Sequence, residues 1–116
     1  MEEKITIGNV EVTLKANANT PRKYRETFGR DLLVEFGNLI NHIDKKTGRL
    51  VGDFDFSIVE NLAYVMAKQY DSSIGSIDEW LEQFGIDDIY TSMSQILEVW
   101  EQSKQTTSTP KKNINK

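Results

Sequence analysis

Cysteine is absent from the 116 residues. That excludes a disulfide framework and a thiolate nucleophile, and it suits a reducing cytosol. No run approaches the roughly 18 apolar residues of a membrane span, and the opening MEEKIT lacks the basic and apolar regions of a signal peptide. A cytosolic protein is expected. Basic residues are scarce in the body of the chain: residues 1–100 carry 10 basic and 17 acidic side chains, net −7, whereas 101–116 carry four lysines against Glu101, net +3. An acidic body repels phosphate, which disfavours general nucleic-acid binding, and the short basic tail weakens that exclusion without reversing it.

Catalytic and metal-binding patterns are missing too. The one histidine, His42, stands near the end of an apolar helix with no cysteine or second histidine to share a metal; a helix C-terminus explains it better than catalysis does. Lys46-Thr47 resembles the end of a phosphate-binding loop, but Lys45 occupies the position that motif reserves for glycine. A calcium loop starting at Asp44, with Asp53 and Asp55, would need glycine where Arg49 stands and glutamate where Asp55 stands. Asp87 and Asp88 are adjacent, so they do not face each other on a helix, and compensation of the helix dipole accounts for both. A helix-turn-helix reader of DNA would present basic or amide side chains after Gly85, where this chain has Asp87, Asp88, Glu98 and Glu101. No enzyme, cofactor, metal, nucleic-acid or membrane role is expected.

What is present is ordered. Residues 4–16, KITIGNVEVTLKA, alternate around Gly8-Asn9 and predict a β-hairpin with Ile5, Ile7, Val10, Val12 and Leu14 on one face. Two strands alone are marginal in water, so that face must lie on helices or the edge must pair further. Thr20-Pro21 reads as a helix start with threonine as N-cap. Apolar periodicity then runs through Tyr24 and Phe28 and on through Leu32, Leu33, Phe36, Leu39, Ile40 and Ile43, with Gly29 as a break or bend and Gly37 as the mark of a close helix contact. Asp44 to Asp55 is the main loop. Ser57 with Glu60 forms a capping-box pattern opening a helix apolar on most of its circumference, the candidate central core helix.

The stretch SIDEWLEQFGIDDIYTSMSQILEVW, Ser76 to Trp100, is the most patterned. Ser76 with Glu79 is a second capping box, and Gly85 is expected to turn left-handed and stop that helix. A final helix should begin at Ile86 or Asp87, carrying Ile86, Ile89, Tyr90, Met93, Ile96, Leu97 and Trp100 as one apolar stripe, with Val99 the apolar exception on its polar face. The chain therefore reads as mainly α: an N-terminal β-hairpin (4–16) followed by a bundle of four to five short helices at about 21–43, 57–70, 76–84 and 86–103, in one domain over 1–104. The polar segment 105–116, ending TTSTPKKNINK, is expected to be a disordered tail.

The order of hairpin, Thr-Pro helix start, short helices, the SIDEWLEQFGIDDIYTSMSQILEVWEQS segment and a lysine-bearing tail resembles the tail assembly chaperones of long-tailed bacteriophages and of prophages in Gram-positive bacteria. The resemblance covers nearly the whole chain. It implies a protein of the host cytoplasm, absent from the mature virion, that binds the aggregation-prone tape measure protein, keeps it soluble and helps tail tube protein assemble around it. The family also makes longer products by ribosomal frameshifting, for which Lys111-Lys112, if encoded by a run of adenines, would supply the slippery site. The alternative is a small acidic phage or prophage adaptor, again not an enzyme. Met66, Trp80, Phe84, Tyr90, Met93 and Trp100 are the candidate partner-binding residues, each with a competing role in the core. The pattern is compatible with a monomer and with self-association.

Overall fold

The computed structural model describes residues 1–44, 46–47, 51–52 and 55–108, with side chains described as far as Lys104. Two antiparallel strands, β1 (Glu2–Ile7) and β2 (Val10–Lys15), precede six helices: α1 (Thr20–Phe28), α2 (Leu32–Ile40), α3 (Ser57–Tyr70), α4 (Ile77–Leu81), α5 (Asp88–Thr91) and α6 (Met93–Ser108). The mainly α fold with an N-terminal hairpin is as the pattern of the sequence anticipates.

Pairing of Ile7 with Val10 and Ile5 with Val12 leaves Gly8-Asn9 as the two-residue turn, with Gly8 at φ +61°. Alternation puts Ile5, Ile7, Val12 and Leu14 on one buried face. That face finds its cover within the chain, β2 packing on α3 and β1 on α6. Helix α3 is the centre: Ile58, Val59, Leu62, Ala63, Tyr64, Val65, Met66 and Ala67 are all buried, between β2 on one side and α1, α2, α4 and α6 on the others. Each large apolar side chain so buried contributes about 1.5 to 3 kcal/mol.

The helix boundaries depart from the periodicity in instructive ways. The expected 21–43 segment is two helices, because Gly29 adopts φ +69° and its N–H closes α1 on the Arg25 carbonyl at 2.8 Å. Asp31 then opens α2, accepting N–H bonds from Leu33 (2.9 Å) and Val34 (3.3 Å). Thr20 is not the cap of α1; it is fully buried, accepting the Asn17 N–H at 3.0 Å and donating to Gln69 Oε1 at 2.8 Å. Ser57 forms no capping box either. Its N–H and hydroxyl both bond Asp55 Oδ1, at 3.0 and 2.5 Å, and these two bonds, the hydroxyl one foremost, hold the Asp55 carboxyl below the usual carboxylate range. Gly37 faces open space rather than a helix contact, on the side of α2 that leaves Leu33, Val34 and Ile40 exposed.

Arg30 bridges the α1–α2 turn to the start of α3, meeting Glu35 at 3.0 Å and Asp55 at 3.5 Å. Glu35 also accepts the buried Tyr24 hydroxyl at 2.6 Å; burial foremost, and then this bond to a carboxylate, push the phenol far above its ordinary titration range. His42 donates from Nδ1 to the Asn38 carbonyl at 2.9 Å, beside the end of α2.

At the C-terminal side, the expected 86–103 helix is broken at Ser92. The backbone of α6 continues to Ser108, past the expected end at 103; the loop residues 45, 48–50 and 53–54 and the segment 109–116, with Lys111-Lys112, lie outside the described residues. Val99 is no exception on a polar face. It is buried with Ile96, Trp100 and Ser103, a set spaced i, i+3, i+4, i+7 that α6 turns toward α3 and β1.

Candidate partner-binding groove

The second half of the Ser76–Trp100 stretch builds an open apolar groove, and its frame starts at the capping box. Ser76 Oγ accepts the Glu79 N–H at 3.2 Å while Glu79 Oε1 accepts the Ser76 N–H at 3.0 Å, which fixes the entry of the five-residue helix α4. So short a helix needs tertiary support. Trp80 supplies it, wedged edge-on between Tyr64 (centroids 5.9 Å apart) and Phe84 (4.9 Å), while the Tyr64 hydroxyl donates to the Gly75 carbonyl at 2.5 Å.

After α4 the chain turns without a left-handed glycine, since Gly85 is not among the positive-φ glycines. The device is Asp88: its Oδ2 accepts the Gly85 N–H at 2.7 Å, while its own N–H bonds the Gly85 carbonyl at 3.2 Å. Helix α5 therefore begins at Asp88 and leaves Ile86 outside any helix. Ile86 is fully exposed at 107 %, and Tyr90, one turn on, is 54 % exposed. The apolar stripe expected to run unbroken from Ile86 to Trp100 is thus divided: Ile89, Ile96, Leu97 and Trp100 enter the core, whereas Ile86 and Tyr90 do not.

These two form a groove of about 330 Å³ with Phe56 and Leu81, floored by Phe84 and Ile89. The Phe56 and Tyr90 rings lie 5.4 Å apart, tilted by 48°, so the start of α3 supplies one wall and α5 the other. Among the described residues the charged lining comes from Glu60 and Asp87, both carboxylates. An apolar trough with an acidic border can take an apolar polypeptide segment flanked by lysine or arginine.

Of the six sequence-derived contact residues, Met66, Trp80 and Trp100 are buried in the core, at 0, 5 and 3 % exposure. Trp100 stacks edge-on with Phe36 at 6.1 Å, and among the described residues its indole N–H is a buried donor without a partner. Met93 and Phe84 are half-buried against the core, and Phe84 reaches the groove with Tyr90. The apolar groove residues that are not among those contact candidates are Phe56, Leu81, Ile86 and Ile89, of which Ile86 and Ile89 stand in the expected apolar stripe. The signal for Ile86 was Asp88 three residues after Gly85, a spacing that lets the carboxylate close the turn and start the helix later.

Among the described residues no group of three or more histidines or carboxylates could hold a metal ion, and no helix is long and apolar enough to cross a membrane. Comparison of the chain with protein-family models, with curated proteins and with solved structures finds no match.

Proposed function

We propose that this chain is a passive holding chaperone, a tail assembly chaperone of a long-tailed phage or prophage whose client is the tape measure protein. The observation that supports the reading is the groove around Ile86 and Tyr90, an uncovered apolar trough on an otherwise acidic protein. Shielding an apolar client segment requires such a surface and a soluble exterior, and it requires no nucleotide or cofactor. The occupant proposed is a client segment with apolar side chains bordered by basic ones, matched to Glu60 and Asp87. The buried Trp80 and Trp100 hold the frame, and Ile86, Tyr90 and Phe84 make the contact.

Co-expression with the long tape measure protein tests this. The expected result is a soluble client that co-purifies with the chain, and loss of both on Ile86→Ser with Tyr90→Ser, while Leu33→Ser with Ile40→Ser on the exposed side of α2 leaves both intact. A client that stays insoluble beside the folded wild-type chain overturns the holding role. A client rescued equally by the Ile86/Tyr90 variant overturns the assignment of the groove.

A further inference from the structure

The acidic body contains one concave region with the opposite character. A cavity of about 430 Å³ lies where the end of β2, the entry to α1 and the last turns of α3 meet. Lys15, Lys23 and Lys68 reach it from three different elements, against the single carboxylate of Glu26, so the lining carries net charge +2. Lys23 meets Glu26 at 3.6 Å with both side chains about half exposed, and Lys68 Nζ stands 5.9 Å from the centre of the Tyr64 ring. Among the described residues Lys15 has no ion pair.

The neutral groups reinforce this polarity. Thr20 donates to Gln69 Oε1 at 2.8 Å, and Asn17 Oδ1 accepts both Gln69 Nε2 (2.7 Å) and the Asn19 N–H (2.9 Å). With their carbonyl oxygens engaged, the Asn17 and Gln69 amides have N–H donors left to offer. Three lysines and these amides line the cavity against one carboxylate, a lining richer in donors than in charged acceptors, which is the chemistry of an anion site.

We infer that this cavity binds a small phosphate monoester, its phosphate among the three lysines and its organic part against Tyr64 and Val65. Charge selects the class: a phosphate monoester carries roughly −1.5 to −2 at neutral pH, matching the lining, whereas a simple carboxylate carries only a single negative charge. The volume is that of a site for a small ligand. The long-range repulsion of the acidic body restricts such a site to compact anions and keeps nucleic-acid polymers away.

The test is an amide-resolved NMR titration of the full chain with AMP and with inorganic phosphate, using acetate at matched ionic strength as the singly charged control. Saturable shifts at Asn17, Asn19 and Ser72 are expected with AMP and phosphate, with acetate at least about tenfold weaker. Lys15→Ala with Lys68→Ala should weaken AMP binding by about tenfold or more, Glu26→Gln should tighten it about threefold, and Lys4→Ala on the hairpin should leave it unchanged. Unchanged amide shifts elsewhere in the spectrum verify that each variant is folded. Absence of saturation with both phosphate probes, equal binding of acetate, or AMP binding that survives the double lysine change would overturn the assignment.

Discussion

The turn of the hairpin is seated on Asp88: a β-carbon at Gly8 would overlap a carboxylate oxygen of that side chain. The same carboxylate accepts the Gly85 N–H at 2.7 Å. One aspartate, eighty residues on from Gly8, therefore joins the tip of the hairpin to the turn that presents Ile86. The contact exists because glycine stands at a position with φ +61°, where it is both sterically permitted and small enough to admit the carboxylate.

Gly8→Ala meets two penalties, the left-handed backbone and the overlap with Asp88. A loss of about 1 to 3 kcal/mol in urea unfolding is expected. In an Asp88→Ala background the same change should cost less, because only the backbone term remains. Equal costs in the two backgrounds would show that the overlap is relieved without energetic consequence.

Local chemistry in the sequence carried the hairpin, the Ser76 cap and the central place of α3, because each depends on residues close in the chain: alternation around Gly8-Asn9, the Ser76/Glu79 spacing, and an apolar circumference from Ile58 to Ala67. The rest depends on choices between competing partners. Ser57 has Glu60 three residues on, yet bonds Asp55 behind it. Thr20 precedes proline, yet turns inward to Gln69, a partner 49 residues away. Val99 lies on the face that α6 turns toward α3 and β1, and that cover comes from segments distant in the chain. For the groove, composition marked Phe84 and Tyr90, but the phase break made by Asp88 set which apolar residues face solvent.

Thr20→Val keeps the shape of the side chain and removes its hydroxyl. Gln69 Oε1 loses a donor and the Asn17 N–H loses an acceptor, in a site where Thr20 is fully buried. About 1 to 3 kcal/mol of stability should disappear. Thr20→Ser, which retains both hydrogen bonds, should recover most of it, and urea titration of the pair distinguishes the hydrogen bonds from packing.

Acid should weaken the start of α3. Hydrogen bonds from Ser57 hold the Asp55 carboxyl below the usual carboxylate range, and those from Ser73 do the same for Asp71. A depressed folded-state pKa contributes stability that is present above the unfolded value and is lost as pH falls through the folded one. The loss therefore falls below about pH 4, and it is small because both carboxylates are solvent-exposed. Melting temperatures followed from about pH 5 to pH 2.5 should fall less steeply for Asp55→Ala than for the wild type. Parallel curves would assign the acid sensitivity to other carboxylates.

Trp100 and Tyr90 separate frame from contact. Trp100 is 3 % exposed and packs on Phe36, so Trp100→Ala should cost about 3 to 5 kcal/mol, the range for emptying a large buried aromatic site. Tyr90 shows 54 % of its surface to solvent and touches the core side of the groove through Phe56, so Tyr90→Ala should stay within about 1 kcal/mol. Client capture should respond in the opposite order once stability is allowed for. At a temperature where both variants are fully folded by circular dichroism, the Trp100 variant should retain the client and the Tyr90 variant should release it. Release by the folded Trp100 variant with retention by the Tyr90 variant would move the contact surface from the Ile86–Tyr90 groove to the α2–α6 side of the molecule, where Phe36 and Trp100 meet.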